Sequence, residues 1–119
     1  GERRVVSAMT THAFMVGGTG RACTDVMRQA AGRAFVKVGA EGVYAGGATQ
    51  PGLGFAIKVA DGGRRAVEVA LVRVLSELGI LSSEDVDALR RHANPTVYNT
   101  LGEEVGQIRA VFDLANAIA

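Results

Sequence analysis

The chain has 119 residues, 48% hydrophobic, 21% charged and 5% aromatic, with 16 Gly against 2 Pro. This is the length of one domain, too apolar for disorder, and no apolar run nears the roughly 20 residues that a spanning helix needs. Thirteen Lys plus Arg against twelve Asp plus Glu leave a net charge of +1, so neither nucleic acid nor a membrane is an expected partner.

The chain opens on Gly1 and passes directly into an amphipathic helical pattern, Glu2 to His12, with Val5, Val6, Ala8 and Met9 at helical spacing. It reads as a piece of something longer. Arg3 and Arg4 are not followed by a hydrophobic stretch and a cleavage site, so no secretory signal is visible at this end. A glycine loop, Gly17-Gly18-Thr19-Gly20, then leads into a helix over Arg21 to Ala31, with Ala22, Val26, Met27 and Ala30 on one face and Gly32 as its expected stop.

From Arg33 the period changes to two. Strands are expected at Arg33 to Gly39, Gly42 to Ala45 and Gly52 to Ala60, and their short links leave no room for crossover helices, so the pairing should be an antiparallel meander. Gly63 to Leu78 reads as the longest helix, through Ala66, Val67, Ala70, Leu71, Val74, Leu75 and Leu78, and Gly79 follows as its cap. A further helix begins at Ser82 or Ser83, carries acids first and Arg90, Arg91 and His92 last, and stops at Asn94-Pro95. Glu104 to Leu114 reads as a last strand. The fold class is therefore α+β, a meander with helices packed on it and the long helix covering one face.

Eleven of the thirteen cations are Arg, and Lys37 stands out because it lies inside the apolar run Ala34-Phe35-Val36-Lys37-Val38-Gly39. An amine held among such neighbours loses hydration and becomes usable as a proton acceptor, which a guanidinium does not. The bland alternative is a lysine that reaches into water from an edge strand. Lys37-Val38-Gly39 also falls into the K-x-G pattern of serine β-lactamases, without the middle hydroxyl, and Ala40 then stands where a backbone N–H completes an oxyanion hole.

Other constellations are weaker. His12, His92 and Cys23 have no ligand-like spacing, so no metal site is expected. Each histidine reads as a surface or capping residue, Asp25 and Glu41 have no spacing that forces them together, and Arg64, Arg65 and Glu68 read as a solvated helix face. Single Cys23 cannot close an internal disulfide, which suggests a reducing, cytoplasmic setting. The Gly17–Gly20 loop offers a rival function, a nucleotide- or anion-binding module, but Cys23 replaces the third glycine of the dinucleotide fingerprint.

Taken together, Val5-Val6-Ser7-Ala8-Met9, Met15-Val16-Gly17-Gly18-Thr19-Gly20-Arg21, Cys23-Thr24-Asp25-Val26-Met27, Lys37 to Tyr44, Gly52 to Lys58, Asp61-Gly62, Asn94-Pro95, Asn99, Gly102 and Val105-Gly106 resemble the C-terminal third of the L-asparaginase II family, the β-lactamase-like asparaginases. The resemblance implies the C-terminal part of a serine β-lactamase-like fold, with residues 1–119 lacking the part that carries the nucleophilic serine. It implies hydrolysis of L-asparagine to aspartate and ammonia in the full-length enzyme by serine-lysine catalysis. Lys37 and Ala40 take the catalytic roles, and Gly39, Glu41, Gly42 and Cys23 the substrate-binding positions. No cofactor is implied in this segment; zinc, where members bind it, is expected on upstream ligands. Ala13 departs from the family's Pro after His12, and no Ser-x-x-Lys occurs. This piece should therefore be inactive alone. Apolar surface left uncovered should drive self-association into a homo-oligomer.

Overall fold

The computed structural model describes residues 1–115. Helix α1 (Glu2–Thr11) and the short α2 (Ala13–Gly17) are separated by a bend at His12, and α3 (Ala22–Ala30) follows the glycine loop. Helix α3 stops one residue before the expected position. Ala31 takes the left-handed cap conformation at φ 49° and donates its N–H to Met27 O, and Gly32 at φ 87° continues the reversal.

Strands β1 (Ala34–Gly39), β2 (Val43–Ala48) and β3 (Leu53–Lys58) form the expected antiparallel meander in the order β1-β2-β3. Strand β2 runs three residues past its expected end at Ala45, through Gly46 and Gly47. A side chain at Gly46 would collide with the carbonyl of Phe35, so only glycine lets the two strands meet there.

Residues paired across antiparallel strands share a face. The register Val36↔Gly46, Val38↔Tyr44 and Tyr44↔Ile57 gives the sheet one face carrying Ala34, Val36, Val38 and Tyr44. On this face α3 packs against β1, and α4 (Arg64–Glu77) against β2 and β3. Val26, Met27, Val36, Tyr44, Val67, Leu71 and Leu75 meet there fully buried. Burying a side chain of this size contributes about 1.5–3 kcal/mol.

Helix α4 is covered on more than one side, which moves its buried set from the expected row. Val69 and Val72 are buried because α5 (Ser83–Ala88) and α6 (Arg90–Ala93) lie against them, whereas Ala66 is exposed. The single helix expected from Ser82 to His92 is two, broken at Leu89 (φ −97°, ψ 17°). Ser82 and Asp85 form a reciprocal capping box that fixes the start of α5, and Asp85 also accepts from Gln29 and Arg33.

The expected strand over Glu104 to Leu114 is corrected to β5 (Glu104–Gln107), paired with β4 (Thr96–Tyr98) in a separate two-stranded sheet. Residues Ile108 to Asp113 have no regular structure. Asn99 builds the connecting turn by accepting from the N–H groups of Leu101 and Glu103.

Candidate active site

Strand alternation decides where Lys37 points. Ala34 and Val36 enter the core, so Phe35, Lys37 and Gly39 project from the opposite face. Lys37 is exposed, and its Nζ donates to the carbonyl of its own neighbour Val38 at 3.2 Å. The expectation of an amine already stripped of water is therefore corrected. Its nearest apolar neighbours in the strand, Val36 and Val38, turn the other way. What Lys37 borders instead is an open groove of about 650 Å³ between the sheet and the first two helices, lined by Met9, Met15, Val16, Phe35, Ala45 and Phe55.

Beyond Gly39 the chain reverses through Ala40, Glu41 and Gly42. Glu41 and Gly42 are left-handed at φ 60° and 72°. Gly42 is buried, and a Cβ there would meet Val59 and the backbone of Gly62. Val59 donates its N–H to Gly42 O at 3.0 Å, and Lys58 Nζ donates to Glu41 O. The turn is thus held from behind by the β3–α4 link. Gly39, Ala40 and Glu41 stay exposed at its front, and Ala40 N–H has no hydrogen-bond partner among the described residues.

Cys23 lies beneath this strand. Its sulfur is fully buried, accepts the Val38 N–H at 3.3 Å and faces Tyr44 Oη at 3.7 Å. Burial, followed by the neighbouring thiol, pushes the Tyr44 hydroxyl pKa well above its ordinary value. Position, not contact, is what Cys23 gives this face, because its sulfur does not reach the open side of the sheet.

The glycine loop is a packing device. A Cβ on Gly17 would stand 2.6 Å from Thr24 Oγ1 and 2.9 Å from the Cys23 Cβ. Gly18 donates its N–H to Phe14 O at 2.8 Å and its carbonyl accepts from Thr24 Oγ1 at 2.6 Å. The carbonyl of Gly20 accepts from Arg91 at 3.3 Å. A phosphate cradle needs free N–H groups converging on one point; here the Gly18 N–H and the carbonyls of Gly18 and Gly20 are taken by neighbouring helices.

The family model of L-asparaginase II matches residues 1–110, a span that contains every residue of this hairpin. The chain belongs to the L-asparaginase II family. Comparison with curated proteins returns no match. Membership places this asparaginase-family chain among the asparaginase-type amidohydrolases, which act on an amide such as asparagine. Among the described residues no group of three or more His, Cys, Asp or Glu is placed to hold a metal. No described helix is long and apolar enough to cross a membrane.

One charged constellation of this asparaginase-family chain is invisible in its sequence. His92 is buried at 6% exposure, with Nε2 2.7 Å from Asp25 Oδ2 and Nδ1 3.6 Å from Glu68 Oε2. Arg91 pairs with the same Asp25 oxygen at 2.7 Å, and Arg64 with Glu68 Oε1 at 2.9 Å. This overturns two expectations: His92 is not a surface cap, and Glu68 is not on a fully solvated face. Glu68, with Asp25 beyond it, raises the His92 pKa against the opposing effect of burial. Burial acts to raise the Asp25 pKa, but His92 and Arg91 hold it below the usual carboxylate range. His92 first, then Arg64, does the same for Glu68. Asp25 therefore finds its second carboxylate in Glu68, around the imidazole; Glu41 stands in the hairpin turn.

Proposed function

We propose that residues 1–119 form the C-terminal part of a serine-lysine L-asparaginase, with Lys37 as proton acceptor and Ala40 N–H as oxyanion donor. The observation that supports this most is the arrangement of the hairpin. Lys37 borders an open apolar groove, and the exposed turn that carries Ala40 follows directly on its strand, in a segment matched by the family model.

In this reading a serine hydroxyl from the upstream part approaches over the groove. Its proton passes to the Lys37 amine as Oγ bonds to the amide carbon of asparagine. The carbonyl oxygen becomes an anion and accepts from Ala40 N–H, a donor aimed where charge develops. Collapse breaks the C–N bond, the proton goes to the leaving nitrogen, and ammonia departs. Water, deprotonated by the same amine, then cleaves the ester to release aspartate and restore the serine. Covering the groove also removes water from around the amine, the condition that the isolated hairpin lacks.

Gly39, Glu41 and Gly42 would shape the substrate pocket from the turn, and Cys23 would act from beneath by anchoring Val38. The setting is cytoplasmic, no cofactor is held by these residues, and the uncovered groove leads the isolated chain to self-associate. Light scattering of a dilute solution tests that last point, and a stable monomer would refute it.

The decisive experiment joins this chain to an upstream, serine-bearing portion of a family member and follows ammonia release from asparagine. Residues 1–119 alone should release none. The joined protein should be active, and Lys37→Ala should reduce its rate by about 10²–10⁴-fold, the usual contribution of a positioned proton-transfer group. Full activity of Lys37→Ala would remove the lysine from the mechanism.

A further inference from the structure

We infer that His92 is a protonation-dependent clasp: as an imidazolium it ties α3, α4 and α6 together, and on losing its proton it lets α6 go from Glu68 of α4 while Nε2 and Arg91 still hold Asp25 of α3. The argument begins with donor count. A neutral imidazole has one N–H and one lone pair, so with Nε2–H directed at Asp25 it turns the lone pair of Nδ1 toward the Glu68 carboxylate. Only the doubly protonated ring presents a hydrogen to both acids, which come from α3 and α4.

The surrounding charges are known from each side. Helix α3 supplies Asp25, with Arg28 at the mouth of the small cleft beside the ring, and α4 supplies Glu68 and its partner Arg64. Helix α6 supplies Arg91, whose guanidinium lies 3.4 Å from Nε2 and competes for Asp25. Helix α5 contributes only Ala88 to the cleft, and Leu89 lines it from the break that follows. From beyond Glu68, Tyr44 faces the cluster with its proton held by burial. Arg91 and Arg64 each pair with one of the two carboxylates, so the clasp rests on direct contact and not on net charge.

Helix α6 has only four residues and no side-chain cap. Such a segment has little stability of its own, so its place against α4 depends on what its side chains hold. The chain passes from it through Asn94 and Pro95 into β4, so release of α6 also loosens the seat of the β4–β5 sheet.

The test is a proton NMR titration of the 119-residue chain, following the ring of His92 in buffer and in denaturing urea. The folded midpoint should lie above the unfolded one, and Glu68→Gln should bring it down. In the same samples, amide exchange at Ala93 and Asn94, corrected for base catalysis, should accelerate relative to α4 as pH passes the folded midpoint. A folded midpoint at or below the unfolded one, or a midpoint unmoved by Glu68→Gln, would overturn the clasp. Unchanged relative protection of Ala93 and Asn94 across the transition would overturn the release of α6.

Discussion

The two faces of the meander treat charge in opposite ways. Behind it, Asp25, Glu68 and His92 are brought together between helices, each answered by a partner within the chain. In front, Lys37 has only a neighbouring carbonyl, and the groove beside it is open. Interiors accept charge only where it is paired. The rear is a packed interior; the front is an open groove with an apolar lining and an exposed amine at its edge.

The contrast can be broken most strongly in the rear core. Leu71→Ala, fully buried where α4 meets the sheet, should cost about 2–5 kcal/mol in urea unfolding, as large-to-small changes in a packed core do. A loss under 1 kcal/mol would mean that α4 does not pack as described. Asp85→Ala removes the capping box and the links to Gln29 and Arg33, and about 1–2 kcal/mol should follow.

Dependence on pH sharpens the comparison. The His92 pKa is raised in the fold, so its contribution is complete below the unfolded value of about 6.5 and is lost as pH rises through the folded one. Asp25 and Glu68 are lowered, and so is Asp85, through Gln29 first and then Ser82. Their contributions are complete above about 4 and lost as pH falls. Thermal midpoints should therefore be highest between about pH 5 and 7 and decline on both sides. A profile flat from pH 6 to 9 would contradict the rear cluster.

The smallest effect belongs to the front. Lys37→Ala should change the stability of this chain by no more than about 0.5 kcal/mol, because an exposed side chain with one local contact has little to lose. A large loss would show that Lys37 supports the fold. Small stability cost together with large loss of activity in the joined enzyme is the signature of a group kept for chemistry.

The meander and α4 were legible because alternation and helical periodicity are local, and the positive-φ glycines mark the turns. Strand β4 was not, since three residues after Pro95 carry no countable alternation. The break at Leu89 was hidden because apolar spacing continues across it. The orientation of Lys37 could have been inferred by taking the alternation literally: a residue one step from Val36 faces away from it. The rear cluster joins residues 67 apart in sequence, which no window detects. One signal was present, however. Glu68 heads the row that continues through Val72 and Leu75, both buried, and an acid on such a ridge requires a partner.

The hairpin turn that bears Ala40 is not free to choose its own height. Its floor is the contact of Gly42 with Val59 and Gly62, and the same short connector turns directly into the first residues of α4. Inserting a residue there, or giving Gly42 a side chain, would therefore lift the loop as a wedge lifts a lever and change the reach of its amide.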